Sequence, residues 1–293
     1  MNPLIIHAHS SHVNKVIFSP NEKFLVSAGF SGELKLWDVE NGELLQRFEG
    51  HTKTVNGIEF ADQGETLLSG SADGSFRKWN VATGECTDTL NEQKKGIGSL
   101  ILAKDQSFVV TSSPDYMLAV RPLPEGEISN RIKADKKNVG IMALNQSSTL
   151  VATGGMGNYI RFYNVSTGNL VTSIDAHDTA VMSFQFFDND EKGVSIGYMG
   201  DVKVWDLQKN EVLRECKIGE KGYYSLDVSP DETQVAISMP YQVSLLNLHD
   251  LEEDSILYVK PKGNYGISYS PSGQYLGLAS ADKRVRVWRM NTK

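Results

Sequence analysis

The sequence predicts an all-β fold, a closed β-propeller of seven four-stranded antiparallel blades, and three observations lead to this prediction. First, one apolar position recurs through the 293-residue chain, at Phe18, Phe60, Leu102, Leu144, Phe186, Val228 and Tyr269. Its spacing is 42 residues in five steps and 41 in the last, a period typical of propeller blades. Second, each unit shows short runs with the period of two that strands have, and no helical periodicity. Third, the last unit lacks one strand, which the N-terminus can supply.

The four runs of a unit are separated by turn residues. In the first unit the first, third and fourth runs are Val13–Phe18, 34–37 and Leu44–Phe48. A tight hairpin turn before the fourth run needs a residue that tolerates positive φ. Five units have glycine or asparagine there, at Gly42, Gly84, Gly126, Gly168 and Asn210. In the sixth unit we expect a longer acidic loop, at 249–254.

The end of the chain predicts how the ring closes. Only five residues follow Trp288, too few for a fourth strand. In the 42-residue register, residues 4–9 align with 46–51, so that Ile6 matches Phe48 and His9 matches His51. The N-terminal strand is therefore predicted to complete the last blade, which removes exposed sheet edges. Because the repeat uses the whole chain, we expect a single domain over residues 1–293.

Composition sets limits on location and partners. A formal net charge of −7 argues against a nucleic-acid-binding surface spread over the whole molecule. Residues 1–7 lack the cationic segment of a signal peptide, and no apolar stretch approaches the length of a membrane span. The two cysteines, Cys86 and Cys216, are too few for a disulfide scaffold and fall on distant blades. We therefore expect a cytoplasmic protein with no membrane contact and with unpaired thiols.

Trp-Asp pairs stand at the end of the third run, at 37–38 and 205–206. These residues resemble the WD40-repeat family, and the resemblance covers the whole chain. It implies a structural tetrad of histidine, serine or threonine, aspartate and tryptophan, which is complete only in blade two, as His51, Ser69, Asp73 and Trp79. In blades one and five the acid position holds Ser31 and Met199 instead.

Histidine, serine and aspartate are also the residue types of a catalytic triad. The resemblance implies that His51, Ser69 and Asp73 bond one another inside a blade and leave no exposed nucleophile. The closely spaced His7, His9 and His12 suggest a metal site, but His9 has a structural position in the register. We therefore expect no enzyme activity, no metal site and no cofactor.

The resemblance also implies where a partner docks. In the family, the loops into the first strand and between the second and third strands form the usual docking face. The register places aromatic and methionine side chains there: Phe30, Met156, Met182, Tyr198, Tyr224, Met239 and Tyr265. Such side chains suit partner anchors. The alternative is that several of them plug the central channel.

A lysine recurs at one position around the same face, at Lys53, Lys95, Lys137, Lys221 and Lys262, with Lys94 and Lys136 beside two of them. A mouth ringed by positive charge attracts acidic groups; ordinary solvated lysines are the alternative.

The resulting hypothesis is an interaction scaffold, either a monomer or a subunit of a larger complex, that binds a protein or peptide segment at this face. An acidic segment fits the lysines. Single-stranded nucleic acid stacked on the aromatics is a second hypothesis, which the net charge and the lack of arginine at this face disfavour. A propeller enzyme is a third, and it would need acids, histidines or metal ligands converging on the channel.

Overall fold

The computed structural model describes residues 2–91, 93, 95–124, 127–134, 140–259 and 263–290. Among these residues, 28 strands form seven antiparallel four-stranded sheets. Asp62–Gly64, a 3-10 turn, is the one helical element in the described ranges, and no helix found there has the length and apolarity to cross a membrane. The predicted all-β, seven-bladed architecture is confirmed.

The blades are numbered in chain order, and their strands run from the channel outward. The strands of blades one to three are β2 (Val13–Phe18), β3 (Phe24–Gly29), β4 (Leu34–Asp38), β5 (Leu44–Phe48), β6 (Val55–Ala61), β7 (Thr66–Ser71), β8 (Phe76–Asn80), β9 (Cys86–Leu90), β10 (Ser99–Leu102), β11 (Phe108–Ser112), β12 (Met117–Pro122) and β13 (Asn130–Lys133). Those of blades four and five are β14 (Ile141–Leu144), β15 (Leu150–Gly154), β16 (Tyr159–Asn164), β17 (Leu170–Asp175), β18 (Val181–Phe187), β19 (Lys192–Gly197), β20 (Asp201–Asp206) and β21 (Glu211–Lys217). Those of blades six and seven are β22 (Ser225–Val228), β23 (Gln234–Ser238), β24 (Gln242–Asn247), β25 (Glu253–Tyr258), β26 (Asn264–Tyr269), β27 (Tyr275–Ser280), β28 (Arg284–Arg289) and, from the N-terminus, β1 (Leu4–His7).

Neighbouring blades are held together by apolar side chains between their sheets. One buried cluster joins Val26 and Leu36 of blade one to Ile58 and Trp79 of blade two. Because each sheet alternates its side chains between two faces, every blade buries apolar surface against both neighbours. Each buried apolar cluster of the described residues joins two neighbouring blades, so the ring is the unit that excludes water.

The N-terminal strand closes the ring as predicted. β1 pairs antiparallel with β28, with Leu4 opposite Val287 and His7 opposite Arg284. Ile6 is buried in a cluster that joins blade seven to blade one. The Lys35 ammonium of blade one donates a hydrogen bond to the Ala8 carbonyl over 2.7 Å. The first residues of the chain thus contact two blades at once.

The hairpin turns before the fourth strands follow the predicted pattern, with one correction. Gly42, Gly84 and Gly168 each have φ of +74° and Asn210 has +57°, whereas Gly126 lies outside the described residues. The expected longer loop in blade six is wrong. There Leu251, at φ +61°, donates its N–H to the Asn247 carbonyl, as Gly42 does to Asp38 in blade one. The residue that blade six lacks falls instead between β23 and β24, where four residues separate the paired Ser238 and Val243, compared with five between the paired Ala28 and Leu34 of blade one.

Two sets of loops define the ends of the ring. The loops into the first strands and between the second and third strands form what we call the top face. They are tied together by backbone hydrogen bonds such as Phe30 N–H to the His12 carbonyl and Tyr198 N–H to the Ala180 carbonyl. The remaining loops form the bottom face.

The bottom face carries a series of contacts between blades. One position in the turn between the first and second strands has positive φ in every blade, at Glu22, Gly64, Gln106, Ser148, Asp190, Glu232 and Gly273. Where this residue has a polar side chain, that side chain accepts a backbone N–H from the preceding blade. The pairs are Gln106 with Asp62 at 2.7 Å, Ser148 with Lys104 at 3.2 Å, Asp190 with Gln146 at 2.6 Å, Glu232 with Asp188 at 2.8 Å, and Glu22 with Ser272.

The two glycines of this series have a physical explanation. Gly64 and Gly273 face Pro20 and Pro230, and a Cβ built on them would lie 3.2 and 3.4 Å from those rings. Proline has no N–H to donate, so the hydrogen bond of the other blades cannot form at that residue. Positive φ and the close ring then favour glycine. Blade seven also has a proline at this position, Pro271, and there the longer Glu22 side chain reaches the N–H of the next residue, Ser272.

Ring closure can be tested with two adjacent residues of β1. Replacing buried Ile6 by alanine should lower the free energy of unfolding by about 2–4 kcal/mol, since it leaves a cavity between two blades. The control Ile5→Ala removes an exposed side chain of the same size and should cost less than about 0.5 kcal/mol. Urea unfolding, monitored by tryptophan fluorescence, measures the free energy of unfolding of both variants. Equal losses in the two variants would contradict the burial of Ile6 between blades seven and one.

Candidate partner-binding face and central channel

The tetrad of blade two forms a continuous hydrogen-bonded chain. Trp79 Nε1 donates to Ser69 Oγ over 2.8 Å, Ser69 Oγ lies 2.7 Å from His51 Nε2, and His51 Nδ1 lies 2.9 Å from Asp73 Oδ2. Burial lowers the pKa of His51, which favours a neutral ring that donates from Nδ1 and accepts from the serine. Ser69 is fully buried. The set braces a blade and presents no nucleophile to a substrate.

Blades one and five contain similar chains whose acid the sequence reasoning missed. In blade five the His177 ring bonds Asp201, two residues beyond the predicted acid position, Met199. In blade one Glu33 Oε2 lies 3.4 Å from His9 Nδ1, again two residues beyond the predicted position. These positions lie in the turn before the third strand or at the start of that strand. In blade two, residues at both positions reach the histidine, since Ser75 Oγ also lies 3.0 Å from His51 Nδ1, so the acid can stand at either position.

The electrostatics of the blade-one set match this arrangement. Burial lowers the pKa of His9 to about 4, with Lys35 adding to the effect. Burial by itself raises the pKa of Glu33, but hydrogen bonds from Lys35, Ser10 and Ser31 outweigh it and bring the value to about 2. At neutral pH the set therefore consists of a neutral histidine and an ionised glutamate.

The first aromatic patch of the top face lies where blade seven meets blade one. We call His12, Phe30 and Tyr265 the Phe30 patch. The Phe30 ring centroid lies 5.5 Å from that of His12 and 5.3 Å from that of Tyr265, and the His12 and Tyr265 rings stack at 5.9 Å. His12 and Phe30 are exposed and Tyr265 is partly exposed. The three rings support one another and leave one apolar side open to solvent.

The second patch lies over blades five and six. We call Tyr198 and Tyr223 the Tyr198 patch. Their rings meet edge to face at 6.0 Å, and Tyr223 is 68% exposed. In the equivalent loop of the neighbouring blade four, Met156 is 81% exposed. Tyr223 was not predicted, because the register pointed to the next residue; alternation along the chain was the signal that could have found it.

Two of the predicted partner contacts are wrong. Tyr224 is only 4% exposed and Met239 only 8%, and both pack, with the partly buried Met182, in a cluster between blades five and six. The Tyr224 hydroxyl donates to the Glu220 carbonyl. Gly219 makes room for this packing, since a Cβ there would lie 2.7 Å from the tyrosine oxygen. These residues fill the ring interior, which was the alternative reading of the sequence.

Three of the predicted lysines fall on described residues. Lys53, Lys95 and Lys221 are exposed on the loops that enter blades two, three and six. Lys94, Lys136, Lys137 and Lys262 lie outside the described residues. The top face thus offers aromatic patches with exposed cations in the same class of loop.

The first strands of the blades line a central channel of about 490 Å³. Near the top face, Asn14 and Asn56 donate across to the carbonyls of Val55 and Ile97, at 2.9 and 2.8 Å, and tie the first three blades together. Lower down, the channel wall includes Lys15, Glu59 and Asp227. The sequence reasoning did not single out this group.

Comparisons with known proteins agree with this architecture. A family model described as the NWD2 C-terminal beta-propeller matches residues 4–221, and a model of the WD domain, G-beta repeat, matches residues 261–289. A WD40 repeat-containing protein of Dictyostelium discoideum is 26% identical over 146 residues, which make up 46% of this chain and 22% of that protein. The matched region therefore spans about a fifth of the relative's length.

The position of the blade-five acid gives a direct test. Asp201→Ala should lower the free energy of unfolding by about 1–3 kcal/mol, because it leaves the buried His177 ring without an acceptor. Met199→Ala, at the position expected from the repeat pattern, should cost less than about 1 kcal/mol. Parallel denaturant titrations measure the free energy of unfolding of both variants. A larger loss for Met199→Ala than for Asp201→Ala would contradict the assignment of Asp201 as the partner of His177.

Proposed function

This chain is a WD40-repeat propeller of the NWD2 C-terminal beta-propeller family, and from that premise we propose that it is an interaction scaffold that binds a partner peptide or protein segment on its top face. The observation that supports this proposal is the pair of exposed aromatic patches on that face. A rigid ring displays them from loops whose backbones are hydrogen-bonded to one another. Such a surface needs little ordering when a partner binds.

The chemistry of the Tyr198 patch suits a partner anchor. Tyr198 and Tyr223 present apolar ring area together with a phenolic hydroxyl that can bond the backbone of a docked segment. The neighbouring Met156 is unbranched and polarisable, so it can adapt to different apolar groups. Binding energy in interfaces is concentrated in a few such residues. The Phe30 patch offers a second anchoring point across the mouth of the channel.

The exposed lysines favour a partner segment with acidic residues. Lys53, Lys95 and Lys221 project from a chain whose formal charge is −7, so their attraction acts locally, over about a Debye length of 8–10 Å. Charges at the rim of an interface mainly speed association and orient the partner. In this proposal the aromatics supply affinity and the lysines supply orientation.

The proposal predicts that Tyr198→Ala/Tyr223→Ala weakens partner binding at least about tenfold, since truncation of a single hot-spot anchor costs about 2 kcal/mol or more. The partner is first isolated by pull-down from native cell extract on the full chain, and its affinity is then measured by calorimetry. The control is Leu170→Ala/Val171→Ala, which removes two exposed apolar side chains from the outer strand β17. Both variants should unfold at the temperature of the unsubstituted protein.

Two results would contradict the proposal. One is undiminished affinity in the tyrosine variant. The other is capture of single-stranded nucleic acid instead of protein, with an affinity that falls steeply with salt concentration and that is lost in Lys53→Gln/Lys95→Gln/Lys221→Gln.

A further inference from the structure

The bottom mouth of the channel contains a second cavity, of about 370 Å³. Its lining includes the apolar Phe18 and Phe60 and three proline rings, those of Pro20, Pro230 and Pro271. Glu59 and Asp227 line both this cavity and the central channel. The two spaces therefore meet at a pair of carboxylates that blades two and six supply.

Carboxyl groups outnumber cationic side chains in this region. Among the described residues that line the channel and the bottom cavity, Lys15 is the only cation, and Glu59 and Asp227 are the only carboxylates. Burial raises the pKa of Glu59 to about 7 and that of Asp227 to about 7, although Lys15 acts to lower both. A buried charge without a partner is costly, and one lysine neutralises only one of the two carboxylates.

The carboxylates are held in place by the ring. Asp227 Oδ2 accepts the Tyr269 N–H of the next blade over 2.7 Å. Glu59 accepts a backbone hydrogen bond from Leu102, on the first strand of blade three. Because each side chain is bonded to the first strand of the neighbouring blade, it cannot swing away into solvent to relieve its charge. The second carboxyl group, which has no cation of its own, is thus fixed in place by the closed ring.

Tyr269 also belongs to the lining of this cavity. Tyr269 is 8% exposed, and its hydroxyl forms no hydrogen bond within the described part of the chain. Burial, with Asp227, Asp231 and Asp254 adding to it, raises the pKa of Tyr269 above its ordinary value. The cavity thus presents two carboxyl groups from two blades, Glu59 and Asp227, which become anionic as the pH rises above about 7.

We propose that the bottom mouth of the channel binds the guanidinium group of an arginine presented by a partner protein, between Glu59 and Asp227. A guanidinium group carries five N–H donors in a plane and always keeps its charge. The aliphatic stem of the arginine would lie along the proline-lined wall while the head reaches the carboxylates. This site is separate from the top face, so it would allow the ring to hold two partners at once.

Charge neutralisation gives the site a pH dependence with a defined sign. The titratable and charged groups around the two carboxylates, among the described residues, are Lys15 of blade one and Tyr269 of blade seven, with Asp231 and Asp254 beyond the tyrosine. Both carboxylates are largely protonated at pH 6 and ionised at pH 8, so the affinity for arginine should rise between these values. Binding should release protons when it is measured near pH 7.

The test is calorimetry on the full chain with two probe peptides, acetyl-Gly-Arg-Gly-amide and the same peptide with citrulline, which has nearly the same shape but no charge. At pH 8 we expect the arginine peptide to bind at least about tenfold more tightly than the citrulline peptide. We also expect the arginine peptide to bind at least about threefold more tightly at pH 8 than at pH 6. Glu59→Gln/Asp227→Asn should abolish this preference. Because it removes buried charge, this variant should stay folded, which its unfolding temperature verifies.

The control variant is Asp62→Asn/Glu65→Gln, which removes two exposed carboxylates from the same face. It should keep the preference for arginine. An equal loss of the arginine preference in the two variants would indicate general attraction to an acidic face and would overturn the proposal. Equal affinity of the unsubstituted protein for the arginine and citrulline peptides would also overturn it. Loss of arginine binding in Tyr198→Ala/Tyr223→Ala would also overturn it, because the peptide would then be docking at the top face.

Discussion

The pairing of β1 with β28 is the interaction on which the rest of the molecule depends. The four residues Leu4–His7 complete the last blade and bring Ile6 into the cluster between blades seven and one. In a ring of wedges that bury their faces against one another, an open seam exposes two apolar sheet faces at once. Closure also sets the distance across the channel, and thereby the positions of Glu59 and Asp227.

Closure turns one repeat into three different surfaces. On the bottom face, a turn residue with positive φ accepts an N–H from the blade before it in five of the seven blades, as Asp190 does from Gln146. On the top face, the loops display aromatic side chains in the Phe30 patch and the Tyr198 patch. Inside, the first strands hold polar groups against their neighbours. A substitution on any of these surfaces therefore acts on the neighbouring blade as well as on its own.

Much of the fold followed from the repeat, because period, strand alternation and turn glycines are properties of the chain itself. The orientation and role of individual side chains could not be predicted from the repeat, because they depend on the local backbone geometry. A shift of one residue reverses the side of a strand, and so the exposed ring is Tyr223 while the predicted Tyr224 is buried. The acid position lies at a turn from which two different residues can reach the histidine, as Asp73 and Ser75 do in blade two, and so Asp201 can replace the acid expected at 199. Glu59 and Asp227 had a visible signal, a charge inside an apolar alternating strand, but only the closed ring shows that they share a cavity.

Native-state hydrogen exchange of the β1 amides is the most direct test of this account. If closure holds the ring together, the amides of residues 4–7 that bond β28 should exchange only through global unfolding, with the same free energy and denaturant dependence as the slowest amides of the inner strands. Exchange of β1 at a free energy several kcal/mol lower, with the other blades still protected, would show that the seam opens alone and that the ring does not depend on it.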